Sequence, residues 1–164
     1  MNLSTEKTPK KKISKFSLEN VSNVNITHLP IHDLKTVALA CDELNQQAGC
    51  NKAVPHVAAR NIKNKQELED FVEFCKSKGI DKALVIGGSI PRSKTNAFQN
   101  DIEVATILKS ANITTDCGIY PQNETELEIK IKLDIFNTAI TQLCMNSDTI
   151  NNLPLLDTIR IGVP

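Results

Sequence analysis

Several polar and titratable residues of this chain stand directly after short apolar segments, where side chains are exposed for chemistry. Glu19 ends one such segment, and a carboxylic acid there could act as a general acid. A solvated carboxylate with no chemical role fits the same position equally well. His56 follows Pro55 and could hold the phosphate or the ring of a cofactor. Backbone groups could satisfy the same imidazole, so both interpretations stay open.

Two further groups of residues could bind a ligand at comparable positions. Gly87, Gly88 and Ser89 could let backbone N–H groups approach a phosphate at the start of a helix. A tight turn explains a lone Gly-Gly pair more simply. The Gln142 amide both donates and accepts hydrogen bonds, so it could pair with the edge of a heterocycle. Thr27 and Tyr120 add hydroxyl groups after two other segments.

The elements that must position these residues alternate along the chain. Short apolar runs rich in β-branched residues predict buried parallel strands: Phe16–Glu19, Val24–Leu29, Ala53–Ala58, Ala83–Ile86, Asp116–Tyr120, Ala139–Leu143 and Ile159–Val163. Amphipathic stretches between them predict helices: Asp33–Gln47, Lys65–Lys78, Asn100–Ser110, Glu126–Phe136 and Asp148–Leu156. Repeated strand–helix units favour an α/β fold with a parallel sheet.

Seven strands in one series predict an incomplete (β/α)8 TIM barrel that lacks its eighth βα unit. Complete barrels need at least about 200 residues, and this chain has 164. Only Asn20–Asn23 separates the first two predicted strands, so the first barrel helix is also expected to be absent. In such barrels the working residues stand at the C-terminal ends of the strands. Residues 1–15 contain five lysines and predict a disordered basic tail, and residues 16–164 the barrel domain.

Composition excludes several classes of function. Nineteen basic residues balance nineteen acidic ones, which argues against a dedicated nucleic-acid-binding protein. No run approaches the roughly 18 apolar residues of a membrane helix, and the N-terminus lacks the apolar region of a secretory signal. Five scattered cysteines without a C-x-x-C pair predict reduced thiols, no metal site and a cytoplasmic location.

The order of six short motifs at the ends of predicted strands resembles the methylenetetrahydrofolate reductase family, in particular its short branch that consists of the catalytic barrel. The motifs are Phe16–Glu19, Pro55–Arg60, Ala83–Gly88, Ile119–Pro121, Ile140–Leu143 and Ile161–Pro164. The resemblance implies a flavoprotein oxidoreductase of one-carbon metabolism and methionine biosynthesis. Its FAD would take hydride from NAD(P)H and reduce 5,10-methylenetetrahydrofolate to 5-methyltetrahydrofolate.

The resemblance also implies a role for each candidate residue. Glu19 would be the general acid, because opening the bridged ring of the folate requires protonation at nitrogen. Gln142 would contact the pterin of the folate. The remaining positions would contact FAD, with Lys132 beside its pyrophosphate: Thr27, His56, Gly88, Ser89, Tyr120 and Lys132.

Departures from the family pattern support an alternative. Ser89 stands where the family usually has Asp, and the segment Tyr120–Thr125 lacks the family's histidine. The alternative function is therefore that of a degenerate, non-catalytic relative or fragment that binds flavin or folate weakly or serves as an interaction partner. An open barrel would expose strand edges, so a homo-oligomer is a further expectation.

Overall fold

The computed structural model describes residues 4–11, 21–49, 52–143 and 159–162, and all structural statements refer to these residues. They contain seven strands: β1 (Ser4–Lys7), β2 (Asn23–Ile26), β3 (Ala53–Ala58), β4 (Lys82–Ile86), β5 (Thr114–Ile119), β6 (Ala139–Leu143) and β7 (Ile159–Gly162). The α-helices are α1 (Leu34–Ala48), α2 (Lys65–Lys78), α3 (Asp101–Ser110) and α4 (Glu126–Ile135), and a 3₁₀ turn spans Ala59–Asn61. None of these helices has the length and apolar character needed to cross a membrane.

The helices begin and end at residues that satisfy their free backbone groups. Asp33 caps α1 by accepting a hydrogen bond from the Thr36 N–H at 2.8 Å, and Gly49 ends the helix at φ +67°. Thr125 and Glu128 form a reciprocal capping box at the start of α4. The apolar face predicted for α1 is confirmed, because all five of its residues are buried: Leu34, Val37, Ala38, Cys41 and Leu44.

All seven strands form one parallel sheet in chain order, from β1 at one edge to β7 at the other. The face of the sheet that packs against the helices is apolar. Val24, Val57, Val85 and Cys117 join a single buried cluster with residues of all four helices. A parallel sheet in sequential order with its helices on one side is the arrangement of a (β/α)8 barrel rather than a doubly wound fold. The predicted fold class, an incomplete TIM barrel, is confirmed in its architecture.

The opposite face of the sheet, which would line the inside of the barrel and is called the lumen face below, carries polar side chains among apolar ones. Successive side chains of a strand point to opposite faces, so the neighbours of the core residues lie here. Asn25, His56 and Asp116 are almost fully buried on this face. The Lys82 Nζ lies 2.7 Å from the Asp116 Oδ2 and neutralises that carboxylate. A buried ion pair and a buried histidine inside the barrel differ from the packed apolar layers usual in barrels of this type.

The N-terminal segment departs from the sequence prediction. Ser4–Lys7 lies in the predicted tail, yet it forms β1 in parallel register with β2. The Thr27 N–H and hydroxyl both donate to the Lys7 carbonyl, at 2.9 and 3.2 Å, and so anchor its end. Residues 8–22 separate β1 from β2, a length that suffices for a crossover connection, so the four-residue spacing that predicted a missing first helix does not apply. Two predicted elements lie wholly outside the described residues: the strand Phe16–Glu19 and the helix Asp148–Leu156.

Candidate functional site

The sequence-predicted site residues gather at one edge of the sheet, where the parallel strands end; this edge is called the mouth below. Thr27 follows β2, His56 lies within β3 two residues before its end, and Tyr120 follows β5. Gly88 and Ser89 come after β4, and the Gln142 backbone belongs to β6. The registers of the parallel strands place Thr27 level with His56, and place Gly88, Tyr120 and Gln142 at a second level four residues further along the strands. Glu19, the predicted general acid, lies outside the described residues.

Thr27 is committed to the fold. Its hydroxyl oxygen donates to the Lys7 carbonyl at 3.2 Å, and its backbone N–H donates to the same oxygen at 2.9 Å. The side chain is half-buried and holds β1 against β2. Any contact with a ligand would therefore use the remaining lone pairs of the hydroxyl oxygen.

His56 is buried on the lumen face with one ring nitrogen available. Its Nε2 has no hydrogen-bond partner among the described residues, and the Glu6 Oε1 lies 3.9 Å away, beyond hydrogen-bond distance. Burial, and then the nearby His28, lower the pKa of His56 to about 4. The imidazole is consequently neutral at pH 7, so it can donate or accept one hydrogen bond but cannot neutralise a phosphate.

His28 and Asn61 form a second buried pair near the mouth, and the sequence analysis assigned no role to either. The His28 Nδ1 accepts from the Ala58 N–H at 3.1 Å, so in the neutral ring the proton is on Nε2. That Nε2 is buried and unpartnered among the described groups, and burial lowers the pKa of His28. Asn61 donates to the His28 carbonyl at 3.0 Å. The histidine beside Thr27 was a weak signal, whereas the Asn61 contact depends on tertiary structure.

The loop Gly87–Ser89 is organised around an arginine rather than around open space. Arg60 donates from Nη2 to the Gly88 carbonyl and from Nε to the Ile90 carbonyl, the latter at 2.6 Å. A Cβ at Gly87 would meet the Arg60 Nη1 at 2.7 Å. Gly88 has φ +90°, and a Cβ there would lie 2.9 Å from the Asn61 Oδ1. The loop turns carbonyls toward a cation, which favours the tight-turn interpretation over a phosphate cradle.

Lys132 is held by two carboxylates. Its Nζ lies 2.5 Å from the Glu124 Oε1 and 3.2 Å from the Asp101 Oδ2, and it donates to the Gly118 carbonyl at 2.9 Å. Burial lowers the pKa of Lys132, but Glu124 and Asp101 outweigh it, so the net shift is upward. Glu124 also accepts from the Tyr120 N–H at 2.9 Å. The ammonium therefore stays charged and ties the chain after β5 to α3, an anchoring role that the sequence did not predict.

An uncharged row, called the floor below, crosses three neighbouring strands on the lumen face one layer nearer the mouth than His56: Ile86, Gly118 and Ile140. A Cβ at Gly118 would lie 2.9 Å from the Ile86 Cγ2 and 3.8 Å from the Tyr120 hydroxyl, so both side chains close over the glycine. Burial raises the pKa of Tyr120, which keeps its hydroxyl protonated. An aromatic ring beside a flat apolar floor suits a planar heterocycle.

The described residues form no metal site, and their cavity beside α1 is not lined by the candidate residues. No group of three metal-ligating side chains occurs among the described residues. A cavity of about 680 Å³ lies between α1 and the segment that begins at the end of β1. Lys7, Lys10 and Lys11 line it together with residues of α1. It is therefore separate from the residues that the sequence analysis selected.

Comparison with known proteins now places the fold. Neither a protein-family model nor a curated protein matches the chain. A tryptophan synthase α-subunit from Pyrococcus furiosus, a hyperthermophile, is similar in structure with a TM-score of 0.65 and 14% identity, over 99% of this chain and 78% of that one. A 2,3-dimethylmalate lyase of the PEP mutase/isocitrate lyase superfamily is similar with a TM-score of 0.61 and 8% identity, over 91% of this chain and 61% of that one.

The chain folds as an incomplete TIM barrel. Both neighbours are TIM-barrel enzymes, and identities of 14% and 8% show the fold alone. The likeness extends over nearly all of this chain but leaves 22% of the synthase subunit without a counterpart, as expected for a barrel short of a unit. Function must therefore be argued from the residues at the mouth.

Proposed function

We propose that the mouth binds FAD and that the chain takes part in flavin-dependent reduction of 5,10-methylenetetrahydrofolate to 5-methyltetrahydrofolate, with NAD(P)H as the hydride donor. One observation carries the proposal. Segments that resemble methylenetetrahydrofolate reductase end at the same edge of one parallel sheet, on strands that are direct neighbours from β3 to β6. This edge is where barrel enzymes place their chemistry.

The residues of the mouth fit the ring of a flavin better than its phosphates. The floor of Ile86, Gly118 and Ile140 carries no charge and lies beside the Tyr120 hydroxyl. The unpartnered Nε2 atoms of His28 and His56 could each make a hydrogen bond to a ligand. Bound FAD would supply hydride transfer between the two substrates, and the protein groups would orient and tune it.

Within this proposal each residue has a defined task. Glu19 would deliver a proton to the folate nitrogen, and Gln142 would pair with the pterin edge. The buried, neutral His56 would hydrogen-bond to the ligand without adding charge. Gly118 would add no side chain of its own to the floor, and a Cβ there would lie 2.9 Å from the Ile86 Cγ2.

The test separates the two half-reactions. Purified protein is loaded with FAD, and flavin reduction by NAD(P)H and flavin reoxidation by 5,10-methylenetetrahydrofolate are followed by stopped-flow absorbance. Glu19→Gln should leave flavin reduction near normal and slow reoxidation by about 10²–10⁴-fold. Glu73→Gln removes an exposed carboxylate on α2 and should change neither rate. An equal loss in both half-reactions for Glu19→Gln would remove it from the acid role.

A second candidate function is favoured by the charges near the mouth. Lys132 is neutralised by Glu124 and Asp101, and Arg60 is bonded to loop carbonyls. Neither cation is free for a pyrophosphate, which favours a non-catalytic relative that binds flavin or folate weakly. Such a protein would bind FAD with low affinity and show no folate-dependent reoxidation even when saturated with FAD.

A further inference from the structure

Arg160 is a charged residue on the lumen face just below the mouth. Its neighbour Ile159 is 8% exposed and belongs to the core between sheet and helices. Because side chains alternate along a strand, Arg160 projects to the opposite face, into the lumen. It is partly exposed there, so its guanidinium remains accessible.

The register of the sheet fixes the height of Arg160 in the barrel. Arg160 pairs with Ile140, Ile140 pairs with Gly118, and Gly118 lies level with Ile86, since Val85 pairs with Cys117. Arg160 therefore extends the uncharged floor of the mouth by one strand. It is the charged end of a row that is otherwise apolar or without a side chain.

Lys82 on the lumen face and Lys132 beside the mouth both have carboxylate partners among the described residues. Lys82 pairs with Asp116, and Lys132 pairs with Glu124 and Asp101. No ion pair of Arg160 occurs in the described part of the chain, although carboxylates of the lumen face are present at lower levels. A guanidinium offers five N–H donors in a planar fork, which suits a flat anionic group.

We propose that Arg160 binds the pyrimidine edge of the bound flavin and favours its reduced, anionic form. The inference rests on the proposed function. Hydride transfer from NAD(P)H delivers two electrons and one proton to the flavin N5, oxidises the nicotinamide and leaves a negative charge on the N1–C2=O edge. A cation beside that edge stabilises the product of this step and so raises the reduction potential.

The experiment compares bound FAD in four proteins: the unchanged chain, Arg160→Met, Arg160→Lys and Lys76→Met. Lys76 is exposed in the last turn of α2, at the opposite end of the barrel. Lys76→Met therefore removes one positive charge far from the mouth. The ratio of reduced to oxidised flavin is measured by spectroscopic titration against a reference dye. Folding of each variant is checked by circular dichroism.

Arg160→Met should lower the ratio of reduced to oxidised flavin about tenfold at a fixed potential, or about 30 mV for a two-electron couple. Arg160→Lys should keep the ratio within about threefold, and Lys76→Met should leave it unchanged. Equal potentials in all proteins that bind FAD, or equal weakening of both redox forms by Arg160→Met, would overturn the role of Arg160. No FAD binding by the unchanged chain would instead overturn the proposed function itself.

Discussion

At the scale of single residues, the ion pair of Lys82 and Asp116 inside the lumen offers a direct test of stability. The Asp116 side chain is 2% exposed and its Oδ1 has no hydrogen-bond partner, so Lys82 alone neutralises it. Lys82→Met should destabilise the fold by about 3 kcal/mol, because it leaves a buried charge unpaired. Urea unfolding measures the free energy.

A double substitution separates the pair from its surroundings. Lys82→Met combined with Asp116→Leu removes both charges, so it should recover most of the stability lost in the single variant. A cost below about 1 kcal/mol for Lys82→Met alone would contradict the buried ion pair.

The buried histidines make stability depend on pH. The folded pKa of His56 is about 4, below the value near 6.5 of a free histidine, and that of His28 is lowered as well. As pH falls from about 6.5 toward 4, the unfolded chain binds protons that the folded chain refuses, so stability falls. For His56 alone the loss reaches about 3 kcal/mol.

The measurement is the free energy of unfolding between pH 7.5 and 4.5, for the unchanged chain and for His56→Gln. The slope of stability against pH should be positive and smaller in the variant. Identical slopes would show that His56 is solvated rather than buried.

At the scale of elements, helices followed from the sequence more completely than strands. Apolar residues at helical spacing and the caps Asp33 and Gly79 predicted α1 and α2 within about a residue at each end. The strand β1 was missed because Ser4–Lys7 contains no apolar residue, and strand prediction depends on that signal. Its stability comes from pairing with β2 and from Thr27, which no local pattern encodes.

Site residues divide in the same way. The sequence placed Thr27, His56 and Tyr120 at the mouth because strand ends can be read from the apolar runs. The carboxylates around Lys132 and the contact of Arg60 with the Gly87–Ser89 loop were not predictable, since they join segments distant in the chain. Partner assignments of this kind require the register of the sheet.

The strand β1 can be tested by truncation. Deletion of residues 1–7 should lower the free energy of unfolding by at least about 2 kcal/mol, from lost ladder hydrogen bonds and the exposed edge of β2. Deletion of residues 1–3, which precede β1, should cost much less. Equal stability of the two truncated chains, measured by urea unfolding, would support the tail that the sequence predicted.

At the scale of the whole molecule, β1 and β7 are the two outer strands of the described sheet, and each pairs on one side only. A barrel of this type closes with eight strands. Addition of one strand–helix unit after Pro164 should raise both the melting temperature and the FAD occupancy. The added strand would pair open edges and wall the mouth, and a bound ligand adds stability by mass action.

An added Gly/Ser segment of equal length is the control for chain length alone. Thermal melts with and without FAD compare the three proteins. The expectation fails if the unit and the Gly/Ser segment give the same melting temperature, or if the 164-residue chain is already a stable, FAD-loaded monomer.

Direct titration with FAD tests the central claim that the mouth is a flavin site. The quenching of FAD fluorescence is followed as the folded protein is added, for the unchanged chain, for Gly118→Val, which fills the floor beside Ile86, and for Ala111→Val after α3 as control. We expect saturable binding of one FAD per chain, weakened at least about tenfold by Gly118→Val and unchanged by Ala111→Val. Absence of binding to the folded chain, or equal affinity in all three proteins, would contradict a flavin site at the mouth.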